Sequence, residues 1–323
     1  MLLLFTLVFF PAAALMMHQS GQVPPQANES VYTITDYVNL VLLDVVVKDR
    51  QGRYVTGLTK NDFRVFEDGQ RQAITQFASV DTPVTIGLVV DNSGSMRFKR
   101  PEVVMAGLAF AKQSNPHDEF FVVNFNNHVV RGLPERIPFT DSLQQLRSAL
   151  YFGTPEGQTA LYDAIAYSLN HLELSRQDKR TLIVVSDGGD NISNISFAEL
   201  MKLIESSRAT IYTVGLFDPE DHDRNPGILQ KLAKISGGQF FEPARLEEVI
   251  PIFKKISDDI RSRYSIGYVP HDVGTKRVLR SVRVTASDVN RGKLSVRTRT
   301  AYSTTPFSEL ITQSRHRVEV RAR

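Results

Sequence analysis

Residues 86–96, IGLVVDNSGSM, join a run of five apolar or small residues to a polar turn that contains one carboxylate and two serine hydroxyls. A short run of this kind is typical of a β-strand that is buried on both faces. In open α/β sheets, ligands bind beyond the carboxyl ends of the strands. The stretch therefore predicts one strand of a parallel sheet, with polar side chains at its carboxyl end.

Three more apolar runs of the same kind follow along the chain, at 120–123, 182–185 and 211–214. Segments with helical periodicity separate them, and this alternation is typical of a doubly wound, mostly parallel, Rossmann-like α/β sheet. The predicted helices are 103–113, 142–150, 161–174, 198–206, 228–235 and, from a stripe of apolar residues, 250–264. The fold class is therefore predicted to be α/β, with helices on both sides of the sheet.

The segments on either side of this alternation have the two-residue periodicity of antiparallel strands. Residues 63–66 and 73–77 alternate apolar and polar side chains around Asp68-Gly69, a strong hairpin signal. Residues 282–286 and 294–299 alternate in the same way, and we expect them to form a β-ribbon that pairs with the N-terminal strands. The α/β domain would then be inserted in a small antiparallel β domain built from both chain ends.

These patterns predict six parts of the chain. They are a signal peptide or anchor (1–17), a linker (18–36), an N-terminal β segment (37–81), the α/β domain (82–264), the C-terminal β-ribbon that pairs with 37–81 (265–303), and a polar tail without periodicity (304–323).

The first residues predict export. Residues 2–17 are almost all apolar, but the run is short for a membrane span and contains Pro11. Residues 12–14 are three alanines, which match the small-residue pattern that signal peptidases cleave, although no Lys or Arg precedes the run. We expect a cleaved signal peptide or a retained anchor, and a location in the periplasm, in the cell envelope or outside the cell.

The composition excludes several classes of protein. Of the 323 residues, 42% are hydrophobic and 23% are charged, which is typical of a globular chain and excludes disorder for most of the length. The sequence has no cysteine, which excludes disulfides, thiolate zinc sites, iron–sulfur clusters and cysteine nucleophiles. A hydrophobic core and, where a metal is bound, oxygen ligands must therefore stabilise the fold.

Three segments could supply the ligands of a divalent metal ion. Asp91, Ser93 and Ser95 form a D-x-S-x-S turn after the first buried strand. That turn alone would be explained more simply as an Asx turn or a helix N-cap. However, Thr159 begins a helix after a glycine-bearing loop and Asp187 directly follows another buried strand, so all three segments meet at one sheet edge. Carboxylate and hydroxyl oxygens favour Mg²⁺ or Mn²⁺ over zinc or copper.

The order and spacing of these five residues resemble the metal-ion-dependent adhesion site of the von Willebrand factor type A domain family, over about residues 83–264. The resemblance implies that the hydroxyls bind the ion directly and that the two aspartates bind it directly or through water. It also implies that a carboxylate from a partner protein completes the coordination of the ion. Residues 65–69 and 264–270 resemble, more loosely, segments of von Willebrand factor A-related exported proteins of acidobacteria, whose function is poorly defined.

Other polar residues near these segments carry less weight. Asp190 and Asn191 are interpreted as turn residues at the surface, with a supporting role for the metal site as the alternative. Neither Ser93 nor Ser95 lies in a G-x-S-x-G motif, and no glycine-rich phosphate loop follows a strand. We therefore expect a protein that is not an enzyme.

Three functions remain open at this stage. The first is metal-dependent recognition of a protein ligand that offers an Asp or Glu carboxylate. In the second, the metal only neutralises Asp91 and Asp187, and the β domain or its basic face makes the interactions of an envelope scaffold. In the third, Mg²⁺ activates water for phosphoester hydrolysis, although no general base is evident beside the site.

The charge of the chain is distributed unevenly. From Arg261 to Arg323 there are fourteen Lys and Arg residues against four Asp and Glu residues. We expect most of this excess on the outward, solvated face of the β-ribbon, although a membrane surface or an anionic polymer could bind there. Nucleic acid is not expected, because the ribbon lacks interleaved exposed aromatic residues.

Overall fold

The computed structural model describes residues 40–79, 81–218, 224–271, 278–289, 291–315 and 320–321. The predicted signal peptide or anchor and the predicted linker lie outside these ranges. Among the described helices, none combines the length and the hydrophobicity that a membrane span requires.

The described part of the α/β domain is built on a sheet of seven strands. They are β5 (Val84–Asp91), β6 (Glu119–Phe125), β7 (Val129–Arg131), β8 (Lys179–Ser186), β9 (Thr210–Gly215), β10 (Phe240–Phe241) and β15 (Val320–Arg321). Their spatial order is β10-β9-β8-β5-β6-β7-β15. The first five run parallel, whereas β7 is antiparallel to β6. All eight residues of β5 are buried, as the apolar run predicts.

A glycine in the middle of β5 lets large side chains pack against this strand. A Cβ atom at Gly87 would lie 2.3 Å from Cζ of Phe121 and 2.6 Å from Cδ2 of Leu182. Both of these side chains belong to the neighbouring strands β6 and β8. An alanine at this position would therefore displace the side chains of Phe121 and Leu182 that pack on β5, the strand that ends at the polar turn.

Helices flank the sheet in two layers. They are α1 (Arg100–Gln113), α2 (Leu143–Leu150), α3 (Leu161–Leu172), α4 (Phe197–Ser206), α5 (Pro226–Ser236) and α6 (Val249–Arg261). Helices α1, α2 and α6 pack together, and α3, α4 and α5 pack together. Helix α5 is capped by Gly237, whose φ of +83° is the left-handed conformation that glycine adopts readily at the end of a helix. Helix α6 ends at Arg261, whereas the apolar stripe predicted that it continues to Tyr264.

The β domain is a sandwich of two four-stranded sheets, with the orders β13-β1-β11-β4 and β14-β12-β2-β3. The strands are β1 (Val41–Lys48), β2 (Phe63–Glu67), β3 (Gln70–Gln72), β4 (Ile74–Ala78), β11 (Tyr264–Tyr268), β12 (Leu279–Ala286), β13 (Ser295–Arg297) and β14 (Ala301–Ser303). Apolar side chains of both sheets share one core. The structure thus confirms a doubly wound α/β domain inserted in an antiparallel β domain that both ends of the chain build.

Glu67 connects residues 65–69 to residues 264–270, which lie on opposite sides of the α/β domain in the sequence. Its carboxylate is 3% exposed and accepts hydrogen bonds from the hydroxyls of Tyr268 (2.6 Å) and Tyr302 (2.9 Å). A buried carboxylate needs such donors, because it has left the water that would otherwise solvate it. The bonds therefore fix β2 to β11 across the sandwich and to β14 within the same sheet.

The two strands of the predicted β-ribbon pair with N-terminal strands, as expected, but they do not pair with each other. Strand β12 pairs with β2 and β14, whereas β13 pairs with β1 in the other sheet. The alternation of apolar residues is correct, because Val282, Val284 and Val296 all belong to the shared core. Two strands joined by a turn can contribute to one core from opposite sheets, and periodicity does not distinguish this arrangement from a hairpin.

The expected outward, solvated basic face is also wrong for several arginines. Arg283 and Arg291 are exposed, as expected, but Arg280 and Arg299 are only 5% and 9% exposed. Arg297 is partly buried and pairs with Asp259 of α6. These side chains lie against the α/β domain or within the sandwich, because β13 and the residues after it run between the two domains.

The predicted tail contains regular structure. Helix α7 (Phe307–Arg315) packs on α4, and Ile311 is buried in the core of the α/β domain. Strand β15 pairs in parallel with β7 at the edge of the sheet. Phe307, Leu310 and Ile311 form an apolar stripe at helical spacing, but it is shorter than two turns and polar residues surround it.

His171 on α3 makes the stability of this domain depend on pH. It is 6% exposed among aromatic rings, and its Nε2 lies 2.8 Å from the carbonyl oxygen of Pro138. Burial, with the nearby charge of Arg131, lowers the pKa of the imidazole, although the Pro138 carbonyl opposes this. The unfolded chain therefore binds a proton more readily than the folded one, and we expect the free energy of unfolding to fall as the pH drops below about 6.5.

The variant His171→Gln tests this expectation, because it keeps an N–H donor and has no titrating group. Chemical unfolding at pH 7 and pH 5 should show a smaller loss of stability in the variant, by at most about 1.4 kcal/mol per pH unit. Equal losses in the two proteins would show that His171 does not contribute.

Candidate metal centre

The sheet brings the predicted ligand segments to one edge. Asp91 is the last residue of β5, and Asp187 directly follows the last residue of β8. These two strands are parallel neighbours, with Val90 opposite Val185, so their carboxyl ends lie side by side. Thr159 precedes the first residue of α3 by two positions, at the same edge.

Four of the five predicted ligands form one continuous hydrogen-bond network. The backbone N–H of Ser93 donates to Oδ1 of Asp91 at 2.8 Å, and the hydroxyl of Ser186 donates to Oδ2 at 2.6 Å. The hydroxyl oxygens of Ser93 and Ser95 lie 3.0 Å apart. Ser95 donates in turn to Oδ2 of Asp187 at 2.6 Å. The structure therefore brings the D-x-S-x-S turn and the second aspartate together.

Thr159 is positioned through its backbone. Its N–H donates to Oδ1 of Asn191 at 2.9 Å, and the N–H of Asn191 donates to the Thr159 carbonyl at 3.1 Å. The N–H of Gly94 donates to the carbonyl of Gly157 at 3.2 Å, which ties this loop to the D-x-S-x-S turn. Gly157 has a φ of +79°, and a Cβ there would lie 2.3 Å from Oδ1 of Asn127. Glycine is thus required for the loop to reach the site.

The site holds two acidic side chains away from water. Asp91 is fully buried and Asp187 is 3% exposed. Burial, together with the charge of Asp187, raises the pKa of Asp91 to about 7, although bonds from Ser186 and Ser93 oppose the shift. Within the described ranges, no Lys or Arg pairs with either carboxylate. Two carboxylates and two serine hydroxyls joined in this way, with Thr159 in the adjoining loop, fit a hard divalent cation, which would neutralise the charge that burial disfavours.

The residue that holds the D-x-S-x-S turn in place was not among those predicted from the sequence. Arg100 on α1 donates to Oδ1 of Asn92, and it also donates to the carbonyl oxygens of Leu150 (2.6 Å) and Phe152 (2.9 Å). It is 6% exposed, so these bonds replace its lost hydration. An arginine at the start of an apolar helix was the available signal, but its partners are distant in sequence.

Asp190 and Asn191 do more than form a surface turn. Asp190 accepts hydrogen bonds from the N–H of Tyr162 (3.1 Å) and from the hydroxyl of Ser193. Asn191 holds the backbone of Thr159 from the other side. The two residues therefore connect the loop after β8 to the start of α3, which favours the supporting role over the surface-turn interpretation.

A doubly wound sheet that carries a D-x-S-x-S turn, a threonine and a second aspartate at its carboxyl edge has the layout of a von Willebrand factor type A domain. The family model with that description, von Willebrand factor type A domain, matches residues 86–189. This range contains all five predicted ligands. Residues 86–189 of this chain are therefore similar to a von Willebrand factor type A domain, while no curated protein matches the chain in sequence.

Three solved structures that are similar to this chain come from Catenulispora acidiphila, Sulfolobus acidocaldarius and Porphyromonas gingivalis. A von Willebrand factor type A protein from Catenulispora acidiphila is 16% identical, with a TM-score of 0.50, over 85% of this chain and 76% of that one. The ArnB paralog VWA2 from Sulfolobus acidocaldarius is 15% identical, with a TM-score of 0.46, over 87% and 79%. The vWF domain of the type V pili tip protein Mfa5 from Porphyromonas gingivalis is 15% identical, with a TM-score of 0.43, over 56% and 96%. At these identities, the first of these similarities supports the fold alone.

Proposed function

We propose that this chain is an exported protein-binding module whose recognition of a ligand depends on a bound Mg²⁺ or Mn²⁺ ion. The observation that carries the proposal is the network of Asp91, Ser93, Ser95 and Asp187 at the carboxyl edge of the sheet, with Thr159 in the adjoining loop. The layout of this class of domain favours binding over catalysis. Export rests on the apolar residues 2–17.

Each residue has a distinct role in this proposal. The hydroxyls of Ser93, Ser95 and Thr159 would hold the ion as neutral ligands, and Asp91 and Asp187 would balance its charge directly or through water. The ion, when bound, supplies an electron-poor centre that accepts an anionic oxygen. Because hydroxyls are weak neutral donors and an aspartate that binds through water transfers less charge than one that binds directly, the ion would still accept an anionic oxygen from a ligand.

Access to the site is open on one side. Gly94 is exposed and Ser95 is partly exposed, whereas Asp91 and Ser93 are buried. Phe98, three residues after Ser95, is 85% exposed. A partner carboxylate would therefore approach over Gly94 and Ser95, and not through the strand end that holds Asp91.

The metal is tested first. Calorimetric titration of Mg²⁺ and Mn²⁺ into the full chain should show one saturable site, which Asp91→Ala abolishes. Thr159→Val should weaken the affinity by at least about tenfold, because valine keeps the shape of threonine and lacks its hydroxyl. Glu156→Gln is the matched control, since it removes an exposed carboxylate close to the site. The backbone N–H of Glu156 donates to the carbonyl oxygen of Asn92. Unchanged affinity in Thr159→Val would count against the ligand set.

The role of the metal in recognition is tested separately. An array of acidic peptides and their Asn or Gln counterparts should bind the protein only in Mg²⁺ and only through the acidic members. Peptides that bind equally well in EDTA would contradict the proposal and favour a metal that only neutralises Asp91 and Asp187. The complete burial of Asp91 is the observation that keeps this second function in view.

A further inference from the structure

A groove lies where the two domains meet, away from the metal centre. Its volume is about 470 Å³, within the range of small-molecule sites. Helix α5 forms one wall, and β12 with residues 296–300 forms the other. The N–H of Asn225, just before α5, donates to the carbonyl of Asp187, so the helix begins near the metal edge and ends at the groove. Its eleven residues separate the two sites by about 16 Å.

Every ionisable side chain that lines the groove is basic. These residues are Lys234, Arg283, Arg297 and Arg299, and no acidic residue accompanies them. Two of the cations have other partners, since Arg283 stacks on the ring of Phe66 at 4.3 Å and Arg297 pairs with Asp259. Lys234 and Arg299 form no ion pair with any described residue, so they leave the groove positively charged.

Arg299 is the unusual member of this set. It is 9% exposed, and its one hydrogen bond within the described residues runs from Nη2 to the carbonyl oxygen of Ile204 at 3.2 Å. Its Nε is buried without a partner. The Nε atom of Arg261 also has no partner among the described residues, but that guanidinium group pairs with carboxylates. Burial lowers the pKa of Arg299 to about 10, although the nearby charges of Asp44 and Glu205 oppose the shift.

A second unpartnered donor lies beside it. The hydroxyl of Thr298 is buried and has no hydrogen-bond partner among the described residues. The backbone is held close here, because a Cβ at Gly237 would lie 2.4 Å from the N atom of Arg299. Buried polar groups without partners are rare in folded proteins and often mark a place where a ligand or an ion binds.

We infer that this groove binds a small organic anion that presents a phosphate or a carboxylate group to Arg299, Thr298 and Lys234. The guanidinium and the hydroxyl supply directional donors to the anionic oxygens, and Lys234 adds charge at the rim. The volume exceeds that of one such group, so the rest of the ligand lies along β12 and Phe240. This site does not depend on the metal centre.

Inorganic phosphate and succinate, titrated into the full chain in EDTA, test the inference. At least one should bind saturably at millimolar concentration, and the stronger of the two identifies the anionic group. Thr298→Val and Lys234→Gln should each weaken that binding by about tenfold. Lys231→Gln, an exposed lysine of the same helix that does not line the groove, should leave it unchanged.

Arg299→Met supplies an independent readout. Because methionine removes a buried charge that forms no ion pair with a described residue and whose burial outweighs the nearby charges of Asp44 and Glu205, the variant should unfold at the same temperature as the wild type or higher. Its unfolding temperature should not rise when the anion is added, whereas that of the wild type should. If the variant does not fold, the Thr298 and Lys234 variants decide. No saturable binding of either probe, or equal binding by wild type and variants, would overturn the inference.

Discussion

Replacing Asp91 with asparagine should lower the affinity for Mg²⁺ by more than about a hundredfold and leave the protein folded. Asparagine has the same shape and keeps an oxygen that accepts the N–H of Ser93. Its amide N–H can donate to Ser186, whose hydroxyl accepts as readily as it donates. The substitution therefore removes the charge of the ligand and preserves its hydrogen bonds.

The same variant should be at least as stable as the wild type in EDTA. Asp91 and Asp187 are two buried carboxylates with no cationic partner in the described residues, so the loss of one charge relieves repulsion and desolvation. Thermal unfolding with and without Mg²⁺ should show stabilisation by the metal in the wild type and in Glu156→Gln, but not in Asp91→Asn. Stabilisation of Asp91→Asn by Mg²⁺ to the same extent would show that the ion binds elsewhere.

The α/β sheet could be predicted from sequence because its four central strands, β5, β6, β8 and β9, contain continuous apolar runs and are buried over nearly all of their length. The run before Asp91 is apolar without alternation, and only a central strand of a parallel sheet has that pattern. The position of the candidate site follows from the same fact, since parallel strands bring their carboxyl ends to one edge. Asp91 and Asp187 are 96 residues apart in the chain by their numbering and adjacent in the sheet.

The parts that sequence could not supply are those decided by long-range partners. Arg100 holds the D-x-S-x-S turn by donating hydrogen bonds to the side chain of Asn92 and to the carbonyl oxygens of Leu150 and Phe152. The last two residues are distant in sequence, so no local pattern indicates these contacts. Strand β13 pairs with β1 and not with β12. The apolar residues of β12 and β13 reach the core of the sandwich in either arrangement, so their periodicity does not distinguish the two. The arginines near β13 are buried because that strand lies between the two domains.

Replacing Arg263 with methionine should produce the largest loss of stability in this protein, about 3 kcal/mol or more. Arg263 is 2% exposed and connects α6 to β11. Its guanidinium donates to Asp44 of β1 (2.9 Å), to Thr181 of β8 (3.3 Å) and to the hydroxyl of Tyr212 in β9 (2.8 Å). One side chain thus bonds strands of both domains, and its removal leaves a partly buried carboxylate without its ion pair.

Urea unfolding of Arg263→Met and of Lys254→Met separates this network from an ordinary surface pair. Lys254 bonds Asp258 on α6 at 3.2 Å, but both side chains are about half exposed, so its loss should cost no more than about 0.5 kcal/mol. The double variant Arg263→Met with Asp44→Leu should recover part of the stability, because it removes the carboxylate that the single variant leaves unpaired. If the stability lost in the double variant equals the sum of the losses in Arg263→Met and Asp44→Leu, the two residues act independently. The contact between the domains would then depend on apolar packing and not on this ion pair.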